Sequence, residues 1–146
     1  MAERTVFQSM PKRHIVSVYP HASVWEAACL MTGENVGSVL VVETTGSLRG
    51  IVTERDLMTR VLAKASDPKA TKVSDVMTRN PICVPPETPV ADAVVTMIER
   101  GFRHLPVVGP GGKLLGVFSV RDALPREIGN ALSIAEFNER LNDVSL

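Results

Sequence analysis

The sequence predicts an α/β chain made of two copies of one β-α-β-β-α unit, each a small sheet flanked by helices. Three observations predict it. Shifted by 66 positions, the chain falls on itself, glycine on glycine and turn on turn, as Gly50 on Gly116 illustrates. Within each copy, apolar residues switch between helical spacing and short β-branched runs. The composition suits an aliphatic core: 45% of the 146 residues are hydrophobic but only 4% aromatic, which favours β-branched strands packed on helices.

The register of the repeat is the firmest of the three. Val18 falls on Val84, Pro20 on Pro86, Val24 on Val90, Ala27 on Ala93 and Met31 on Met97. Val41-Val42 falls on Val107-Val108, Gly46 on Gly112, Leu48 on Leu114, and Arg55-Asp56 on Arg121-Asp122. Internal self-similarity of this kind decides the fold before any local propensity does. The expected organisation is a first repeat over 6–64, a linker over 65–72, a second repeat over 73–125 and a helical tail over 126–146.

The elements follow in order. Ile15 to Val18 and Ile82 to Val84 are short apolar runs closed by proline, and they predict the first strand of each repeat. Ser23 to Thr32 carries Val24, Ala27, Ala28 and Met31 at helical spacing; Pro89 to Arg100 carries Val90, Ala93, Val94, Met97 and Ile98 likewise, with Pro89 suited to a first turn. Val39–Val42 and Leu48–Val52 predict one hairpin, Leu105–Val108 and Leu114–Phe118 another, each joined by a polar connection containing glycine. A closing helix is expected over Glu54 to Lys64, then a linker broken at Asp67-Pro68. In the second repeat Pro125 stands where the first has Thr59, so a helix starting near Val120 should be kinked or cut there. The tail, with Leu132, Ile134, Phe137 and Leu141, predicts one more amphipathic helix whose apolar face closes the module, or else meets a partner.

Composition also excludes function classes. Formal net charge is zero with no basic run, so neither nucleic acid nor an anionic membrane surface is an expected partner. The longest apolar runs are too short to span a bilayer, and Met1-Ala2-Glu3-Arg4-Thr5 leads into no secretory apolar region, so a cytoplasmic location is expected. Cys29 and Cys83 lack any CxxC or Cys/His spacing; they read as two reduced, buried thiols, with no metal required. No nucleophile–base pair, phosphate-binding GxxxxGK[ST] or HExxH motif is legible, which favours binding over catalysis.

The informative local feature occurs twice, as Gly50-Ile51-Val52-Thr53-Glu54-Arg55-Asp56 and Gly116-Val117-Phe118-Ser119-Val120-Arg121-Asp122. Each places a strand before a hydroxyl and a helix after it. The plain reading is a helix cap, since Ser or Thr followed three residues later by an acidic residue is a capping box. The functional reading uses the same geometry. A helix start offers free N–H groups to a phosphate, the hydroxyl of Thr53 or Ser119 and the charge of Arg55 or Arg121 add to it, and an ionised Asp accepts both hydroxyls of a ribose.

With this duplicated unit, the pattern G-h-h-[ST]-x-x-D, and Ser74-Asp75-Val76-Met77-Thr78-Arg79-Asn80-Pro81 before a strand, the chain resembles the CBS domain family over Val6 to Leu124. The resemblance implies a tandem CBS pair, or Bateman module, packed with a pseudo-twofold axis that leaves two clefts for AMP, ADP, ATP, NAD or, less readily, S-adenosylmethionine. In that family the Asp holds the ribose, the Ser/Thr and nearby basic residues hold phosphate, and the first strand holds adenine. Carried onto this sequence, one cleft would use Ser119, Arg121 and Asp122 with Pro11, His14, Val16, Gly37 and Ser38. The other would use Thr53, Arg55 and Asp56 with Thr78 and Ile82. Arg103 and His104 occupy a place where the family puts phosphate-binding basic residues, and the first repeat has Gly37-Ser38 there instead. The clefts are therefore expected to differ, with Asp122 the better ribose site.

The resemblance further implies a regulatory module, not an enzyme, that works as a homodimer or through a protein effector. An interaction scaffold with non-functional clefts is the alternative, against which intact Asp56 and Asp122 argue. A small NAD-dependent enzyme would need a GxGxxG element that the sequence lacks. CBS repeats also occur inside inosine monophosphate dehydrogenase, but these 146 residues hold no segment for its catalytic domain, so that activity is not expected to transfer. His14 and His21 have no carboxylate or cysteine partner at a telling spacing, and Trp25 could serve either a dimer contact or the core.

Overall fold

A computed structural model describes residues 3–10 and 15–144. They fall in two compact units, His14–Ile82 and the combination of Met1–Arg13 with Cys83–Leu146. The elements are α1 (Val6–Ser9), β1 (Ser17–Val18), α2 (Val24–Glu34), β2 (Ser38–Val42), β3 (Leu48–Thr53), α3 (Glu54–Asp56), α4 (Val73–Val76), β4 (Thr78–Arg79), α5 (Val90–Arg100), β5 (His104–Val108), β6 (Leu114–Ser119) and α6 (Pro125–Val144). Two α-helices and two hairpins recur in the order the repeat predicts. Small sheets carry helices, as expected.

In the His14–Ile82 unit the strand order is β1-β2-β3-β4, with β1 parallel to β2 and the other pairs antiparallel. The β2–β3 hairpin turns through Gly46, whose φ of 90° suits glycine. α2 starts at Ser23, whose hydroxyl accepts from the Glu26 amide at 3.1 Å, and ends at Asn35 in the left-handed region. Its Val24, Ala27 and Met31, one helical face, pack with Val39, Val41 and Val52 of the sheet. The stretch read as a linker is tied to that helix. The amides of Val24 and Trp25, which no helical carbonyl can satisfy, donate to Thr71 and Pro68 at 2.9 and 3.0 Å.

The other unit holds the β5–β6 hairpin, α5 and α6. Its core gathers Val90, Ala93, Val94 and Met97 of α5, Leu105, Val107 and Phe118 of the hairpin, and Val6, Met10 and Ala131. The N-terminal segment belongs here: the Val6 amide donates to Thr88, and Val90 donates to Arg4, at 2.8 and 2.9 Å. The segment that opens each repeat in sequence thus folds with elements of the other repeat.

Several local expectations are corrected. The first strand of the second repeat shrinks to one parallel bridge, Val84 on Val107, and that of the first to Ser17–Val18. The closing helix of the first repeat is α3 followed by a π-helical turn, Leu57–Leu62, in which Arg60 donates to the Val76 and Met77 carbonyls at 3.0 and 3.2 Å. In the second repeat the cut at Pro125 is complete. A 3-10 turn, Val120–Asp122, ends there, and Pro125 opens α6 as its first residue, where a missing N–H costs nothing. The tail's apolar residues do not close the core: Leu132, Ile134, Phe137 and Leu141 are exposed, and Ala131 is the buried contact. Trp25 is exposed too, with the Lys69 ammonium 5.2 Å from its ring. Both cysteines are exposed rather than buried.

Candidate functional site

The two strand-to-helix turns are built by the same local rule. Each hydroxyl residue is extended, with φ of −112° at Thr53 and −107° at Ser119, and each turn is a complete capping box. Thr53 Oγ1 accepts from the Asp56 amide at 3.2 Å, and Ser119 Oγ accepts from the Arg121 amide at 3.3 Å. The backbone N–H of Thr53 or Ser119 donates to the Oδ2 of its Asp, at 3.0 Å in both.

The motif glycines have separate structural work. A Cβ on Gly50 would lie 2.6 Å from the Thr78 carbonyl oxygen, so the close approach of β4 to β3 needs glycine there. Gly116 has a φ of 146°, a region that side chains rarely adopt.

Beyond the caps, the turns differ in what remains available. Asp56 is buried, and both its oxygens are engaged. Oδ2 also accepts from Thr53 Oγ1 at 3.1 Å, and Oδ1 lies 3.6 Å from Arg60 Nε. Asp122 is half-buried, and its Oδ1 accepts no hydrogen bond among the described residues. Burial pushes the Asp122 carboxyl above its ordinary value, against the opposing pull of the Ser119 amide, Arg121 and Arg4.

Each turn lies beside the start of its own repeat's first long strand, β2 or β5. Ser38 pairs with Thr53 across the β2–β3 ladder, and the Glu54 amide donates to the Gly37 carbonyl at 3.1 Å. His104 pairs with Ser119, and the Val120 amide donates to the Arg103 carbonyl at 3.1 Å. Thr78 pairs with Ile51 on the same sheet as Thr53, its side chain exposed. Val16 lies in that unit as well, its carbonyl accepting from Leu40 at 3.1 Å, and Ile82 closes the unit with its side chain exposed. Pro11 and His14 lie outside the described residues. Arg55 is exposed, as are Arg103 and Arg121, and among the described residues the last two make no ion pair.

Three partners of these turns were not singled out from sequence. Arg60 follows Asp56 by one helical turn, so that pair was legible. Arg4 and Glu127 were not: Arg4 Nη2 donates to the Asp122 carbonyl at 2.9 Å and to Glu127 Oε1 at 2.7 Å, across 118 and 123 residues of chain.

Comparison with known proteins bears on this arrangement. The family model described as "CBS domain" matches residues 7–63 and again 73–127. The chain belongs to the CBS domain family. A CBS domain-containing protein of Arabidopsis thaliana is 35% identical over 142 residues, covering 91% of this chain and 26% of that protein. The chain therefore spans about a quarter of that relative's length. Among solved structures, a putative signal-transduction protein with CBS domains from Burkholderia ambifaria is 35% identical with a TM-score of 0.74, covering 80% of this chain and 86% of that one. A CBS domain protein from Pyrobaculum aerophilum, solved in complex with AMP, is 27% identical with a TM-score of 0.79, covering 90% of this chain and all of that one (100%). Two CBS repeats in tandem account for both turns described above. Among the described residues, no helix is long and apolar enough to cross a membrane.

Proposed function

We propose that this CBS pair is a regulatory ligand sensor for an adenosine-containing nucleotide (AMP, ADP, ATP or NAD), held at its strand-to-helix turns. One observation carries the reading: among the described residues Asp122 Oδ1 accepts no hydrogen bond, and it lies beside a capped turn and two exposed guanidiniums. An ionised carboxylate there accepts the vicinal ribose hydroxyls, while Ser119, Arg121, Arg103 and His104 meet the phosphate. Asp56, its oxygens engaged by Thr53 and Arg60, makes the weaker site with Arg55 and Thr78. The AMP complex of the Pyrobaculum relative supports the choice of ligand class. Pro11, His14, Val16, Gly37, Ser38 and Ile82 complete the proposed contacts. The chain acts in the cytoplasm without catalysis of its own, and passes the signal to a second copy of itself or to a protein effector. A ligand shifts such a module only by binding one of its conformations better than another.

Calorimetric titration with each nucleotide and with S-adenosylmethionine tests this. AMP or a related nucleotide should bind, and Asp122→Ala should remove the tighter class of site. If no adenosine compound binds, the sensor reading fails and the scaffold reading replaces it.

A further inference from the structure

Arg4 and Glu127 take no part in the nucleotide contacts proposed above, yet they surround the turn that makes them. Glu127 is 6% exposed. Its Oε1 accepts from Arg4 Nη2 at 2.7 Å and from the Leu124 amide at 2.8 Å, and its Oε2 accepts from Arg4 Nε at 3.2 Å. A carboxylate this buried is tolerated when paired and fully hydrogen-bonded, as it is here. The same guanidinium reaches the Asp122 carbonyl at 2.9 Å. One side chain thus joins the N-terminal segment, the first turn of α6 and the backbone of Asp122. The segment itself is anchored, since the Arg4 carbonyl accepts from the Val90 amide at the start of α5.

The need for such a clamp follows from the cut at Pro125. In the first repeat, α3 runs on into a further helical turn, and Arg60 approaches the carboxylate of Asp56 itself. In the second, the helical turn ends at Asp122, Ala123 is extended, and Pro125 brings no amide hydrogen. Arg4 supplies a donor to the Asp122 backbone from outside the turn. It binds the carbonyl and not the carboxylate, whose Oδ1 accepts no hydrogen bond among the described residues.

We infer that Arg4, clamped by Glu127, is a positioning residue that holds the Ser119–Asp122 turn in its ligand-binding geometry. Docking of the N-terminal segment is thereby coupled to nucleotide affinity at that turn. The inference rests on the proposed nucleotide site. Coupling of this kind is reciprocal, so a ligand at Asp122 must also tighten the segment.

The test uses the full chain and AMP. Calorimetry compares wild type with Arg4→Ala and Arg4→Lys, and amide hydrogen exchange follows Val6 to Ser9 with and without AMP. Arg4→Ala should weaken the tighter site about tenfold, and Arg4→Lys, which keeps the charge but not the fork, about threefold. AMP should slow exchange at Val6 to Ser9 in wild type and leave it unchanged in Asp122→Ala. A merely structural role for Arg4 would lower thermal stability without moving either readout. Wild-type affinity in Arg4→Ala, or exchange indifferent to bound AMP, overturns the inference. Should Arg4→Ala not fold, wild-type affinity in Arg4→Lys has the same force. Should wild type not bind AMP, the same comparison is made with whichever of ADP, ATP or NAD it binds. Wild type that binds none of the four refutes the proposed site and the inference with it, whereas binding that survives Asp122→Ala unchanged refutes the site assignment itself.

Discussion

At the scale of single residues, two aspartates in matching positions have different chemistry because their surroundings differ. Asp56 is held by Thr53 and Arg60, while Asp122 is half-buried and its Oδ1 accepts no hydrogen bond among the described residues. Its carboxyl is raised, so the folded protein binds that proton more readily than the unfolded chain. Ionised Asp122 therefore costs stability at neutral pH, and the cost disappears as pH falls through its raised value. Asp122→Asn, which keeps the Ser119 bond, should be at least as stable as wild type at pH 7, with the difference closing on acidification; thermal melts across pH measure it. Hydrogen bonds to a charged group are worth roughly 1.5–3 kcal/mol, so the same variant should lose about tenfold or more in nucleotide affinity. Gly50→Ala should destabilise by about 1–3 kcal/mol, because the new methyl meets the Thr78 backbone oxygen as well as the Met77 side chain, and the backbone cannot swing aside. Denaturant titration tests this, and an unchanged midpoint would show that β4 can yield.

At the scale of elements, α6 illustrates how one residue redirects a helix. Pro125 could be read in advance as a break, and the break is found. The helix it opens was legible as an amphipathic tail, but not its start, its 20-residue length or its capping by Glu127. Arg4 holds the Glu127 carboxyl below its ordinary value of 4.5, so the pair's contribution is present at neutral pH and is lost as pH falls through that depressed value. Glu127→Gln should cost about 1–3 kcal/mol at pH 7, discounted because Arg4 is partly exposed, and should blunt the acid-dependent loss. Equal acid profiles in the two proteins would place the pH dependence elsewhere. The expectation that the tail's apolar face closes the core failed for a simple reason: helical spacing shows that a stripe exists, not what covers it.

For the whole molecule, the sequence repeats and the compact units do not coincide. The family model matches 7–63 and 73–127, whereas the chain packs as His14–Ile82 and as Met1–Arg13 with Cys83–Leu146. A ligand bound only by the folded state adds about 2.7 kcal/mol at a hundredfold excess over Kd. For a chain of this size that corresponds to a rise of about 5–10 °C in Tm with the correct nucleotide. Asp122→Ala should remove most of that rise and Asp56→Ala little of it, and a double variant that retains the full rise would disprove both sites.

The duplication, the paired hairpins, the two capped turns and the break at Pro125 were all determined by the sequence alone. Each depends on neighbours within a few residues or on a register that the chain displays against itself. What the tertiary structure decided was long-range. It chose which unit takes up the opening segment of each repeat, and it left Cys29, Cys83 and the tail's apolar residues exposed. It also brought Arg4 to Asp122 and Glu127. Charge pairing and burial depend on distance in space, and no spacing pattern encodes a contact between residues more than a hundred positions apart.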